Sequence, residues 1–177
     1  IYGTALGVIA TYVFHFVLFG VMAQKIGLGQ LFIDLATALA GRFAGGPAKV
    51  SVISSAMLGT ISGSSIANTV TTGALTIPAM IKIGFKRHFA AAVEAASSTG
   101  GQITPPVMGA VAFLMVEYIG MPYVEIIKHA FLPATISYIA LVYIVHLEAM
   151  KTGMKGLPRS YEPGPWMRRI VGFVFGI

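Results

Sequence analysis

The sequence predicts an all-α polytopic membrane protein, in which transmembrane helices accompany a re-entrant helical hairpin and one helix is discontinuous. Three observations carry this. Of 177 residues, 56% are hydrophobic and only 10% are charged, at a mean hydropathy of +0.82, which is far from the composition of a water-soluble domain. The apolar residues gather into segments near the length of a bilayer span, about 20 residues. Two polar, glycine-rich stretches interrupt them: GTISGSSIANTVTTG from Gly59 to Gly73, and SSTGGQITPP from Ser97 to Pro106. Irregular backbone at bilayer depth leaves amide and carbonyl groups unpaired, and it survives only where protein or a water-filled cavity surrounds it. Two such interruptions predict a buried site for a hydrated solute or an ion.

Residues 1–25 read as a transmembrane helix, nearly all apolar from Tyr2 to Ala23 and closed by Gln24 and Lys25. His15 sits inside it without a flanking carboxylate, and is expected to pack against neighbouring helices rather than to move protons. Residues 28–44 read as an amphipathic interfacial helix, with Leu31, Leu35, Ala38 and Leu39 on one stripe and Asp34 as an interfacial residue. Gly45, Gly46 and Pro47 end it. Residues 47–83 form the expected re-entrant hairpin: fourteen residues from Ala48 to Ile61 rise roughly 21 Å as a helix, against about 30 Å of hydrocarbon. The chain then returns from Val70 to Ile83. Arg42 and Lys49 on one side of the hairpin and Lys82, Lys86 and Arg87 on the other give it a basic mouth, hence a cytoplasmic one.

Residues 87–119 read as a discontinuous transmembrane helix. Pro105 and Pro106 remove two backbone donors, and Gly100 and Gly101 permit conformations closed to other residues, so the helix is expected to unwind between them. A turn carrying Glu117 and Glu125 but no run of positive charge leads to the next transmembrane helix, residues 123–148. Residues 149–169, with Lys151, Lys155, Arg159, Arg168 and Arg169, read as a cytoplasmic linker. The apolar residues 170–177 are too few to cross a bilayer and read as the start of a further helix. The chain opens inside an apolar run without a methionine or a basic leader, so the expectation is a piece of a longer protein with no signal peptide.

The two polar stretches offer hydroxyls, backbone carbonyls and helix ends, and neutral oxygens of this kind suit a hard monovalent cation. The candidate sodium ligands are Ser64, Ser65, Asn68 and Thr69 with the backbone of Gly100, Gly101, Ile103 and Pro105. Ser62, Thr71 and Thr104 are candidates for contact with a substrate. The competing expectation is that the hydroxyls only bond their own helices, as Ser and Thr in membrane helices do. Glu94 is the carboxylate well inside an apolar segment and therefore a candidate for proton coupling. An ion pair with Lys86 or Arg87, or a solvated position, competes with that role. No resident cofactor is expected, only the coupling ion.

Other classes fit poorly. The net charge of +6 comes from twelve scattered Lys and Arg residues, without the basic run and interleaved aromatics of a nucleic-acid surface. No cysteine is present, which removes disulfides and thiolate chemistry. Ile61-Ser62-Gly63-Ser64-Ser65 lacks the Gly-x-Ser-Gly setting of an intramembrane serine protease, and His129 lies near the opposite face. No His-x-x-x-His or cluster of His and carboxylate suggests a catalytic metal. An enzyme is not expected.

The stretch GPAKVSVISSAMLGTISGSSIANTVTTGALTIPAMIKIGF, followed by HFAAAVEAASSTGGQITPPVMGA, resembles the large membrane subunit of tripartite ATP-independent periplasmic (TRAP) transporters. It is most similar to the fused type, in which small and large membrane subunits form one polypeptide, and the likeness runs from about Ala10 through VHLEAMKTGMKGLP. The resemblance implies one half of an inverted-repeat, elevator-type transporter in a bacterial or archaeal cytoplasmic (inner) membrane, importing small organic acids with sodium. It implies several partners: a periplasmic substrate-binding protein, of the TAXI kind for the fused type, a small membrane subunit domain, the remaining half of the large subunit, and the lipid bilayer. It also assigns sodium to the GSSIAN and STGGQITPP positions. The alternatives are an ion-coupled anion transporter without a binding protein, and a non-transporting membrane scaffold.

Overall fold

The structure, a computed structural model, describes residues 2–154 and 156, all of whose regular elements are helices. Helix α1 (Tyr2–Val8) passes through one π-helical turn, Ile9–Val13, into α2 (Phe14–Lys25). Within this rod, Leu6–Lys25 is long and apolar enough to cross a membrane, as is α8 (Tyr123–Lys151) near the other end of the chain. His15 stands just beyond the π turn. It is exposed, and its Nδ1 lies 2.7 Å from the carbonyl of Thr11 inside the π turn. A π turn displaces carbonyls from the regular ladder, and the imidazole takes up one of them.

Helix α3 (Leu28–Ala40) packs on α4 (Gly46–Ser62) through small and β-branched residues beside the leucine stripe. Ile33, Ala36 and Ala40 are buried with Val50 of α4, whereas Leu39 is 59% exposed. In a lipid setting, apolar side chains gain little by leaving lipid for protein, so helices meet where small residues let backbones approach. Ala36 and Ala40 supply that approach, while Leu31 and Leu35 stay half-buried and Leu39 is left outside. Asp34 lies on the packed side, 3% exposed, where it accepts a hydrogen bond from Gln30 Nε2 at 3.1 Å. It is not the surface residue expected of an interfacial helix.

Helices α4 and α5 (Ser65–Lys82) form an antiparallel hairpin joined only by Gly63 and Ser64. The polar stretch from Gly59 to Gly73 is therefore almost wholly helical, contrary to the irregular backbone expected there. Some of its hydroxyls serve the helix itself: Thr60 bonds the carbonyl of Met57 and Thr71 that of Ala67. Gly63 takes the left-handed conformation that ends α4 (φ 56°), and the Ser64 hydroxyl caps α5 by accepting from the Ala67 amide. With 17 and 18 residues, the arms rise roughly 26 and 27 Å, longer than the sequence suggested.

Helix α6 (Arg87–Gly100) continues through Gly100 into a 3₁₀ turn, Gly101–Ile103, and regular structure resumes only at α7 (Ala110–Ile119). The break lies later than expected, because glycine permits unwinding while proline enforces it. Helix α6 runs parallel to α4 and antiparallel to α5, and α8 closes over them. Val52, Met80, Ala90, Val93, Val145 and Ala149 bury the shared core. The expected linker lies largely outside the described residues, and the helix expected from residue 170 lies wholly outside them.

Candidate functional site

The tip of the hairpin and the broken segment after α6 hold each other at backbone distance. Glycine at 59 and at 101 makes this possible: a Cβ at Gly59 would stand 2.5 Å from Cα of Gly101, closer than real Cβ atoms approach anything. At the tip, a Cβ on Gly63 would stand 1.8 Å from the carbonyl oxygen of Met108. The Val107 amide donates to the carbonyl of Thr60 at 3.3 Å, and Gln102 Nε2 donates to Ser65 Oγ at 2.8 Å. Met108 adopts φ 55°, a conformation that costs a non-glycine residue about 1–3 kcal/mol and persists only where its surroundings over-determine it. Tyr123, at the start of α8, supports the segment from behind, its hydroxyl lying 2.8 and 2.6 Å from the carbonyls of Pro106 and Val107 and donating its one proton to either.

A cavity of about 480 Å³ opens at this clasp, lined by Ser62, Gly63, Ser64, Gln102 and Gly109, with Phe16 from the first helix. Ser62 Oγ is buried and has no hydrogen-bond partner among the described residues. A buried hydroxyl without a partner is uncommon and calls for an explanation such as a bound group. Of the other candidates, Ser64, Ser65, Gly101 and Ile103 come together at the clasp, and Asn68 joins them from behind. Fully buried, Asn68 donates from Nδ2 to the carbonyl of Ser55 at 2.9 Å, and a Cβ on Gly101 would lie 3.1 Å from that nitrogen. The rest are turned elsewhere. Thr104 donates to the Gly100 carbonyl at 2.8 Å and reaches the Tyr138 hydroxyl at 3.4 Å, so both Gly100 and Thr104 face α8. Thr71 faces α2, where its hydroxyl lies 3.4 Å from Gln24 Oε1. Among the described residues no side-chain hydrogen bond of Thr69 appears, and Pro105 sits in the irregular segment, half-buried.

Glu94 occupies a second polar centre, where neither the ion pair nor the solvated position that competed with a coupling role is found. It is fully buried, and among the described residues it forms no ion pair with Lys86 or Arg87. Five hydroxyls from three helices surround its carboxylate instead. Ser51 donates to Oε2 at 2.7 Å and Ser55 to Oε1 at 3.3 Å, both from α4. Thr72 and Thr76 of α5 donate to Oε1 and Oε2 respectively, and Ser98, one turn along α6, reaches Oε1 at 3.2 Å. Gly73 makes room, since a Cβ there would stand 3.0 Å from Glu94 Cγ. Each hydroxyl has one proton and can turn it. Thr72 and Thr76 also lie 2.9 and 3.0 Å from the carbonyls of Asn68 and Thr72, so the cage can offer protons to a carboxylate or accept one from a carboxylic acid.

Apolar helices carry their side chains outward, with Ile66, Val70, Ile139 and Ile144 all more than half exposed, while the polar groups turn inward around a hairpin tip and a broken helix. This is a discontinuous-helix membrane protein, the architecture by which secondary transporters present helix ends and freed carbonyls to a solute. The chain belongs to the family of the DctM component of tripartite ATP-independent periplasmic transporters, which it matches over residues 2–172. It is similar to the C4-dicarboxylate TRAP transporter large permease protein DctM of Rhodobacter capsulatus, at 38% identity over 91 residues, 51% of this chain and 21% of that protein. The protein of the same description from Vibrio cholerae is 29% identical over 148 residues, covering 82% of this chain and 31% of the relative. The isethionate TRAP transporter permease protein DctMQ of Oleidesulfovibrio alaskensis is 28% identical over 155 residues, 88% of this chain and 24% of its own length. The chain thus spans between about a fifth and a third of these relatives.

Proposed function

We propose that this chain is the half of an ion-coupled secondary transporter that binds the coupling ion, in a parent protein of the cytoplasmic membrane that imports small carboxylates. The hairpin is re-entrant, with its basic base at the cytoplasmic face and its tip near the bilayer midplane. The carrying observation is the buried, unpartnered Ser62 Oγ beside the backbone contact of Gly59 with Gly101. Sodium binds among Ser64, Ser65, Asn68 and the turn at Gly101–Ile103, and Ser62 gives its hydroxyl to the substrate carboxylate next to the ion. Adjacent binding makes each ligand's affinity depend on the other, as coupling requires. Relatives described as permeases for C4-dicarboxylates and isethionate support an acidic substrate. Delivery by a periplasmic binding protein and completion of the site by the missing half of the parent, together with a small membrane subunit, follow from the same family relation.

A second reading is favoured by the Glu94 cage: the proton as coupling ion, taken up by the carboxylate as Thr72 and Thr76 turn back to their helix. One experiment addresses both. The full-length parent protein is reconstituted in liposomes with its binding protein, and organic-acid uptake is driven by a sodium gradient or by a proton gradient. Uptake that needs sodium, loses that need in Asn68→Ala and shows a raised substrate KM in Ser62→Ala is the expected result. Uptake indifferent to sodium but dependent on the proton gradient, and abolished in Glu94→Gln, would transfer coupling to the cage.

A further inference from the structure

A cavity of about 700 Å³ lies between α3, α4 and α8, lined by none of the tip residues. Most of its wall is apolar, with Leu39, Ile53, Met57, Ile139 and Tyr143 among the lining residues, but one end carries Lys49 and His146. Lys49 is only 7% exposed. Its Nζ is 3.0 Å from His146 Nδ1 and lies over the Phe43 ring, 5.5 Å from the centroid. Among the described residues the only ion pair is Lys128 with Glu125, so no described carboxylate meets this ammonium. An ammonium has three donors, and the imidazole takes one. A buried charge without a counter-charge is costly, and the groove beside it is open.

The charge stands at one end of the bundle. Lys49 is in the first turn of α4 and His146 is near the end of α8, the end at which Arg42, Lys82, Lys86 and Arg87 also cluster in sequence. Met57 lies eight residues further along α4 and Ile139 seven residues back along α8, so the apolar wall extends roughly 10–12 Å inward from the charge. A cation at headgroup depth above an apolar slot along the helices matches one kind of occupant. We propose that the cavity binds a single anionic phospholipid of the cytoplasmic leaflet, its phosphate on Lys49 and His146 and an acyl chain against Ile53, Met57 and Ile139. Basic pockets between membrane helices on this side are suited to such headgroups. The inference rests on the cytoplasmic placement of the hairpin base, and its test reads lipid rather than uptake, so it stands or falls apart from the coupling ion.

The full-length parent protein, stripped of lipid in detergent, is titrated with phosphatidylglycerol or phosphatidylcholine and the bound lipid is counted by native mass spectrometry. The wild type should prefer phosphatidylglycerol. Lys49→Met should weaken phosphatidylglycerol about fivefold, the contribution of one cation near an anionic surface, and leave phosphatidylcholine unchanged, while Lys49→Arg retains the preference. Ala56→Trp, which fills the apolar wall, should weaken both lipids and serves where Lys49→Met does not fold. Equal binding of the two lipids by the wild type, as when a carboxylate from the remainder of the parent chain occupies Lys49, overturns the proposal. Phosphatidylglycerol binding unaltered in Lys49→Met, or in Ala56→Trp, overturns it as well.

Discussion

Adding one methyl group at Gly59 is the sharpest perturbation of the clasp. The Cβ of Gly59→Ala would fall 2.5 Å from the Gly101 Cα, short by about 0.9 Å of the 3.4 Å at which ordinary van der Waals contact begins. The obstacle is backbone rather than the end of a flexible side chain, so α4 and the 3₁₀ turn must part by nearly that distance. Overpacking of this kind costs about 1–3 kcal/mol, which a folded membrane protein can absorb. Its effect on the site is larger, because Gly101 and Ile103 move relative to Ser64 and Asn68, and a misplacement of about 1 Å in a preorganised site costs on the order of a hundredfold. Gly7, around which a Cβ meets nothing within 4 Å, supplies the matched control. The assay is uptake by the reconstituted parent protein as a function of sodium concentration, with yield and monodispersity as measures of folding. Gly59→Ala should be produced at near-normal yield but need roughly 10- to 100-fold more sodium for half-maximal uptake, while Gly7→Ala should behave as wild type. An unchanged sodium dependence in Gly59→Ala would refute the placement of the ion at this contact.

Glu94→Ala removes the acceptor for Ser51 and Ser98, whose hydroxyls bond only that carboxylate, so two buried donors lose their partners at about 1–3 kcal/mol each. Thermal unfolding of the detergent-solubilised parent should move down by several degrees, and an unmoved midpoint would mean that the cage does not hold the three helices together. Ala36→Leu pushes a larger side chain into the α3–α4 contact, where Ala36 is fully buried, and should destabilise by about 1–3 kcal/mol. Leu39→Ala, on the exposed face, should be near neutral in the same unfolding measurement.

These contrasts mark where sequence was informative. Helical class, the two long apolar spans and the existence of a turn-back between Ile61 and Val70 follow from composition and from the polar, glycine-containing interruption, whereas the two-residue turn at Gly63–Ser64 comes from the fold. The backbone around Thr60 to Thr72 does not, because Ser, Thr and Asn bond either a loop or their own helix, and which one wins depends on packing with α6. At the second break the prolines were the better guide than the glycines, since a missing donor cannot be repaired while a flexible residue can remain helical. The face by which α3 meets α4 was not legible, because a leucine stripe on an interfacial helix does not say which residues touch a neighbouring helix. The Glu94 cage did carry a signal in its spacing: Ser51 and Ser55, Thr72 and Thr76, and Glu94 and Ser98 are three pairs four residues apart, each on one face of its helix. Nothing in one chain of symbols says that the three faces converge. The free oxygen of Ser62 was legible as a polar residue at a tip, but its lack of a partner is a property of the fold alone.

The cage and the clasp are also joined, and the joint can be tested. From Glu94 the path runs through Ser55, whose backbone carbonyl holds Asn68 Nδ2, and through Thr72, which faces Glu94 Oε1, the Asn68 carbonyl and, at 3.5 Å, Asn68 Oδ1. Thr72 has a single proton, so when it serves the carboxylate it cannot serve Asn68, and the side chain that stands against Gly101 is held differently in the two cases. That makes Thr72 a two-state element biased from both ends, the physical requirement for coupling between sites. Linkage then demands reciprocity: whatever factor the charge on Glu94 imposes on sodium affinity, sodium imposes on protonation. In the parent protein, Glu94→Gln should shift sodium affinity, and Thr72→Val, which removes the linking hydroxyl, should remove most of that shift, giving an interaction energy of about 0.5–3 kcal/mol in a double-mutant cycle. Effects that simply add, within about 0.5 kcal/mol, would make the two centres independent and leave Glu94 as a structural tie among α4, α5 and α6.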